Sequence, residues 1–168
     1  ITPPNVQFFL IAAVILNTFI IPALFIGLLR ALGILKSITL DTRSDRVIPI
    51  LITAICYMAC AFMVRNIFAA FLVQKFLLAG AACLVVALIV TNFWKISIHM
   101  LAAGGLLSIL LIVAISGLSN LMPYIIVLIL LCGALASARL YLGSHTPMQV
   151  LAGFFGGMAT AASVVLLI

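Results

Sequence analysis

Six apolar stretches fill most of this chain, each close to the roughly 20 residues a helix needs to cross a bilayer. Short polar connections separate them. With 68% apolar and 6% charged residues among 168, the chain has far too little polar surface to coat a soluble fold of its size. In lipid every backbone N–H and C=O must be satisfied within the protein, so apolar runs of this length read as helices. The expected fold class is therefore all-α: a polytopic membrane protein, a six-transmembrane-helix bundle, forming a single domain over residues 1–168. The helices are predicted at about Val6–Leu32, Val47–Val64, Phe68–Phe93, Ser97–Ile115, Leu121–Leu142 and Pro147–Leu167. Pro22 falls inside the first and predicts a kink. Pro49, Pro123 and Pro147 fall near helix starts, where a missing N–H costs least, and Gly117 and Gly143 mark helix ends. Gly153 and Gly157 give the last helix a GxxxG face suited to close helix contact, read as packing and not as a sign of dimerisation. The first run reads as a membrane helix, not a signal peptide: it is long, contains Pro22, and lacks a basic start and a small-residue cleavage site.

The net charge of +6 does not point to nucleic acid. The cations are few, scattered, and mostly at predicted helix ends, so no basic stripe forms. The expected partner is the lipid bilayer; the oligomeric state is not specified. Cys56, Cys60, Cys83 and Cys132 all fall in apolar segments and read as small packing residues. Cys56 and Cys60 share a helix face, but no His or carboxylate lies near them in sequence to complete a metal site.

Six crossings sort the loops by side. The loops at Gly33–Arg46, Trp94–Ile96 and Gly143–Thr146 share one face; those near Arg65–Asn66 and Ser116–Asn120 share the other with both termini. Lys36, Arg43, Arg46, Lys95, Ser97, His99, Arg139 and His145 all fall on the first face or just inside it, as do the two acids, Asp41 and Asp45. Ionisable groups are costly in a membrane, so a gathering of them marks a functional site. His99 and His145 are the two histidines of the chain, and both lie on this face.

Ile96-Ser97-Ile98-His99 resembles the Pro-Ser-Gly-His motif of the type 2 phosphatidic acid phosphatase family. Ala138-Arg139, five residues, then His145 is similar to that family's Ser-Arg, five residues, His, three residues, Asp motif. The family's first motif, Lys, six residues, Arg-Pro, is echoed by Arg43-Ser44-Asp45-Arg46-Val47-Ile48-Pro49. Helix number, motif order and motif sidedness also fit, so the resemblance covers most of the chain. It implies an integral-membrane lipid phosphatase that hydrolyses a lipid phosphomonoester or pyrophosphate. In that scheme His145 is the nucleophile and forms a phosphohistidine, and His99 is the general acid for the leaving oxygen. Arg139, Ser97, Lys95, Arg46 and Arg43 hold the phosphoryl oxygens. No cofactor and no metal is expected.

The chemistry is sound on its own terms. A neutral imidazole is a competent nucleophile near pH 7, and a second imidazole can protonate the leaving group at the same pH. A phosphoryl group passing between them spreads negative charge over oxygens that Arg and Lys stabilise. The sequence departs from the family pattern at several positions. Gln149 stands where the family has the Asp that orients the nucleophile. Its carbonyl can accept a ring N–H and fix the tautomer, but it cannot stabilise an imidazolium as a carboxylate does. Ile96 and Ile98 flank Ser97, Ala138 precedes Arg139, and Thr39 occupies the first-motif Lys position seven residues before Arg46, a cation that Lys95 can replace.

Plainer readings exist for each residue. The histidines suit interfacial helix ends, Arg43 and Arg46 suit juxtamembrane anchors, and Lys95 beside Trp94 suits a snorkelling pair. Arg65 and Lys75, on the opposite face, read as anchors. The alternative function from another class is a catalytically impaired homologue that binds lipid phosphate headgroups in a structural or transport-associated role. Lys and Arg counts would place the motif face in the cytoplasm, whereas the resemblance favours a bacterial inner membrane with the site facing the periplasm.

Overall fold

The computed structural model describes residues 3–34, 43–117 and 120–167, without the side chains of 43–45. Among the described residues the protein is all-α, and six helices are long and apolar enough to cross a membrane. The chain is an integral membrane protein. Its helices are α1 (Pro4–Ala31), α2 (Arg43–Val64), α3 (Phe71–Thr91, entered through a 3₁₀ turn at Phe68–Ala70), α4 (Ile98–Ile115), α5 (Met122–Tyr141) and α6 (Pro147–Leu167). They group into two compact units, Ile1–Leu88 and Ile89–Ile168.

The disturbance expected at Pro22 is a π-helical turn, Leu16–Ile20, directly ahead of it. Pro22 has no N–H for the Thr18 carbonyl, and its ring crowds that oxygen; a wider turn relieves the clash. Asn17 and Thr18 donate their side chains to the carbonyls of Ala13 and Val14 at 2.9 and 2.8 Å. Pro49 departs from expectation. The second helix begins at Arg43, earlier than Val47, so Pro49 lies inside α2 and not at its start. Polar residues 43–46 extend the helix beyond the apolar run, which hydrophobicity alone does not reveal. Thr53 donates to the Pro49 carbonyl at 2.8 Å.

The first unit has a core of ordinary side-chain packing. Leu10, Cys60, Ala61, Val64, Ala70 and Leu77 are buried together. Cys60 contacts the Ala13 carbonyl at 3.7 Å through its sulfur, which fits the packing role expected of it. Gly80 makes room for the Tyr57 ring: a Cβ there would come within 2.7 Å of it.

The second unit is built differently. α4 and α6 meet backbone to backbone. A Cβ on Gly153 would lie 2.7 Å from the Ser97 carbonyl oxygen, one on Gly157 would collide with the Leu101 carbonyl, and one on Gly104 with that of Phe154. The GxxxG face is thus spent on α4 of the same chain. Val150, Gly153, Gly157, Ala161 and Val165 form the buried stripe of α6. Facing it, α4 buries Leu101, Gly104, Gly105 and Ser108. α5 packs on α4 more than on α6 and buries only Ile125 and Cys132, so most of its apolar surface suits lipid contact. Gly117 and Gly143 end α4 and α5 with φ of +68° and +61°, a left-handed conformation that glycine adopts without strain.

Candidate active site

The close approach of α4 and α6 fixes where their first turns sit. Ser97 is the N-cap of α4, in an extended conformation. Its N–H donates to the main-chain carbonyl of Gln149 at 3.4 Å, and its own carbonyl accepts from Leu101 at 3.0 Å. The starts of α4 and α6 are therefore tied together, two residues before His99 and four after His145. His99 lies in the first turn of α4 on its exposed side, while Ile96, Ser97 and Met100 are buried.

Arg139 lies in the last turn of α5 and is half-buried. A cation there suits the negative end of the helix dipole. Gly143 ends the helix, and the chain turns through Ser144 and His145 into α6. Thr146 and Gln149 close the start of α6 as a capping box. The Gln149 N–H donates to Thr146 Oγ1 at 3.4 Å, and the Thr146 N–H donates to Gln149 Oε1 at 3.1 Å. His145 Nδ1 lies 3.2 Å from the same Oε1.

His99 is electrostatically in reach of two other candidate residues, Arg139 and His145. These residues are 40 and 46 positions from His99 in sequence, so the fold and not local chain geometry brings them together. Residues 89–168 contain no Asp or Glu, and their charged and imidazole side chains are Lys95, His99, Arg139 and His145. No carboxylate of this unit can neutralise the cluster, and the ligand it suits is an anion.

The remaining candidates are placed as follows. Lys95 is exposed in the α3–α4 connection. The Ser97 hydroxyl is buried and has no hydrogen-bond partner among the described residues, and the same holds for the hydroxyl of Thr91 at the end of α3. Arg46 is buried in α2, in the first unit. Arg43 opens the same helix, and its side chain lies outside the described residues, as do Thr39, Asp41 and the side chain of Asp45. The site geometry described above is that of residues of the second unit. Thr146 is the residue that sequence reasoning missed. The pattern Thr-x-x-Gln just ahead of an apolar run, with Pro147 at the first helical position, was the available signal.

Comparison with protein-family models, curated proteins and solved structures finds no match.

Proposed function

We propose that the protein is a lipid phosphate phosphatase of the inner membrane of a bacterium, a divergent member of the type 2 phosphatidic acid phosphatase family, with its site facing the periplasm. The observation that carries this reading is the tie between Ser97 and Gln149, which brings the His99 and His145 segments to one end of a unit without acidic residues, where His99 is within electrostatic reach of Arg139 and His145. His145 attacks phosphorus, the lipid oxygen leaves with a proton from His99, and water then releases phosphate from the phosphohistidine. Arg139 and Lys95 offset the charge on the phosphoryl oxygens. No step in this scheme runs through a metal.

The test is phosphate release by the purified protein in lipid nanodiscs, against a panel of lipid monophosphates and pyrophosphates. Turnover is expected to persist in EDTA and to fall with vanadate, which mimics five-coordinate phosphorus. Release that stops in EDTA would overturn the metal-free scheme.

A second reading is a protein that binds lipid phosphate headgroups without turning them over. Two observations favour it: the buried Ser97 hydroxyl and the neutral Gln149 beside His145. Lipid-phosphate binding that depends on Arg139, with background phosphate release from about pH 5 to about pH 9, the range in which imidazole changes charge, would decide for it.

A further inference from the structure

We infer that the N-terminal cap of α6 sets the tautomer of His145, with Thr146 and Gln149 acting as a coupled pair of positioning residues. Gln149 Oε1 faces two nitrogens, the Thr146 main-chain nitrogen at 3.1 Å and His145 Nδ1 at 3.2 Å. A main-chain N–H can only donate. The side-chain atom facing it is therefore the carbonyl oxygen of Gln149 and not its NH₂. The main chain, independently of the histidine, fixes which way the amide points. A carbonyl oxygen only accepts, so His145 Nδ1 carries the hydrogen. In the neutral ring the lone pair then lies on Nε2.

The return bond, from the Gln149 N–H to Thr146 Oγ1, closes the box and holds both residues in register. The Gln149 main-chain carbonyl also accepts the Ser97 N–H, two residues from His99. One residue at the start of α6 thus bonds toward both histidine segments. The device differs from a carboxylate partner. An amide fixes the tautomer without favouring the imidazolium, so the ring is oriented by a helix cap and not by a charge.

The catalytic meaning of this arrangement rests on the phosphatase reading; the tautomer does not. The experiment is ring ¹⁵N NMR on full-length protein labelled at histidine, in the His99→Gln variant, where His145 is the remaining histidine. At neutral pH its Nδ1 is expected to be protonated and its Nε2 unprotonated. Gln149→Leu is expected to abolish that pattern and restore the Nε2–H form that an unconstrained imidazole favours. Gln149→Glu should keep Nδ1 protonated. Thr146→Val should weaken the preference, and Thr146→Ser should restore it. Should the His99 variant fail to fold, the unsubstituted chain gives the same reading, its second ring assigned by difference against His145→Gln.

An Nε2–H ring in the parent, or a spectrum unmoved by Gln149→Leu, overturns the inference. Phosphate release from the chain with both histidines is measured alongside. Gln149→Leu should lower kcat by about 10²-fold, as loss of a correctly poised proton-transfer group does. An Nδ1–H ring in a protein that releases no phosphate would end the phosphatase reading and leave the cap inference standing. Release of phosphate with an Nε2–H ring would do the reverse.

Discussion

Arg65 and Lys75 of the first unit are held differently from Arg139 of the second. In the first unit, the Arg65 guanidinium lies 3.7 Å from the centre of the Phe62 ring, and Lys75 Nζ lies 4.8 Å from that of Phe71. Each has a partner three or four residues back, on the preceding turn of chain, as an interfacial anchor requires. In the second unit, Arg139 and His145 act on His99 across separations of 40 and 46 residues. A contact within one turn forms in any helix of that sequence. An interaction between distant segments needs the whole unit to fold, and bringing like-signed groups near one another costs free energy unless an anion joins them. The difference separates residues that fasten a helix from residues that constitute a site.

The largest effect that tests this contrast is loss of the nucleophile. His145→Ala should lower phosphate release by at least about 10³-fold, the scale of removing a nucleophile or its proton-transfer partner. His99→Ala should cost most for substrates with poor leaving groups, because there the leaving oxygen needs the proton. Full activity in the His145 variant would remove the distinction between the units at its base.

Much of the second unit was legible because hydrophobicity and breaker residues agree. Ser97, Gly117, Gly143 and Pro147 bound the helices α4 to α6 within a residue or so of where they were expected. The sidedness of loops three and five likewise follows from counting crossings, and the tie between Ser97 and Gln149 agrees with it. Less legible was anything set by side-chain geometry. Gln149 reads in sequence as a replaced Asp, but its bond to Thr146 depends on the cap closing. The burial of the Ser97 hydroxyl depends on α6 pressing glycine against the Ser97 carbonyl, which no local pattern announces. Pro49 was misplaced because residues 43–46 are polar, and a helix that continues into polar sequence leaves no mark in an apolar window.

Next in size is the glycine contact that builds the site. Gly157→Leu puts a side chain where the Leu101 main-chain carbonyl already lies. Main chain cannot step aside as a flexible side chain can, so α4 and α6 must separate, at a cost of about 3 kcal/mol or more. Thermal unfolding in nanodiscs checks this, and turnover should fall with it because the Ser97–Gln149 tie is lost. Gly156→Ala is the control in the same helix. A Cβ there meets nothing within 4 Å, so the substitution should be neutral or stabilising by up to about 1 kcal/mol from helix propensity alone. Equal damage from both would show that small-residue packing does not hold the site together.

Smaller again is the change from an amide to a charge beside the nucleophile. In Gln149→Glu the carboxylate favours the imidazolium of His145, and only the neutral ring attacks. The sign follows directly: the neutral form is reached at higher pH, so the acid limb of kcat/KM should move up by about one unit. Activity above that limb should remain, since the acceptor for Nδ1 is kept. An unmoved acid limb would mean that His145 does not titrate as the nucleophile.

The smallest effect is expected where the cation is held locally. Arg65 lies just beyond the end of α2, exposed, with its guanidinium over Phe62. Arg65→Ala removes one exposed cation–π contact, worth about 0.5–1 kcal/mol. It also removes a favourable charge at a helix C-terminus, of similar size and screened by salt. The summed loss in unfolding free energy should be about 1–2 kcal/mol, and phosphate release should be unchanged. Arg139→Ala is the matched substitution in the second unit: the same residue type, again at a helix C-terminus. It should cost no more stability than Arg65→Ala does and reduce turnover by about 10² or more, because the lost charge offsets transition-state oxygens and not only a helix dipole. The pair isolates position in the fold from residue chemistry. If Arg65→Ala reduced turnover as far as Arg139→Ala, a partner one turn away would not distinguish an anchor from a phosphate ligand, and the assignment of Arg139 would fall with it.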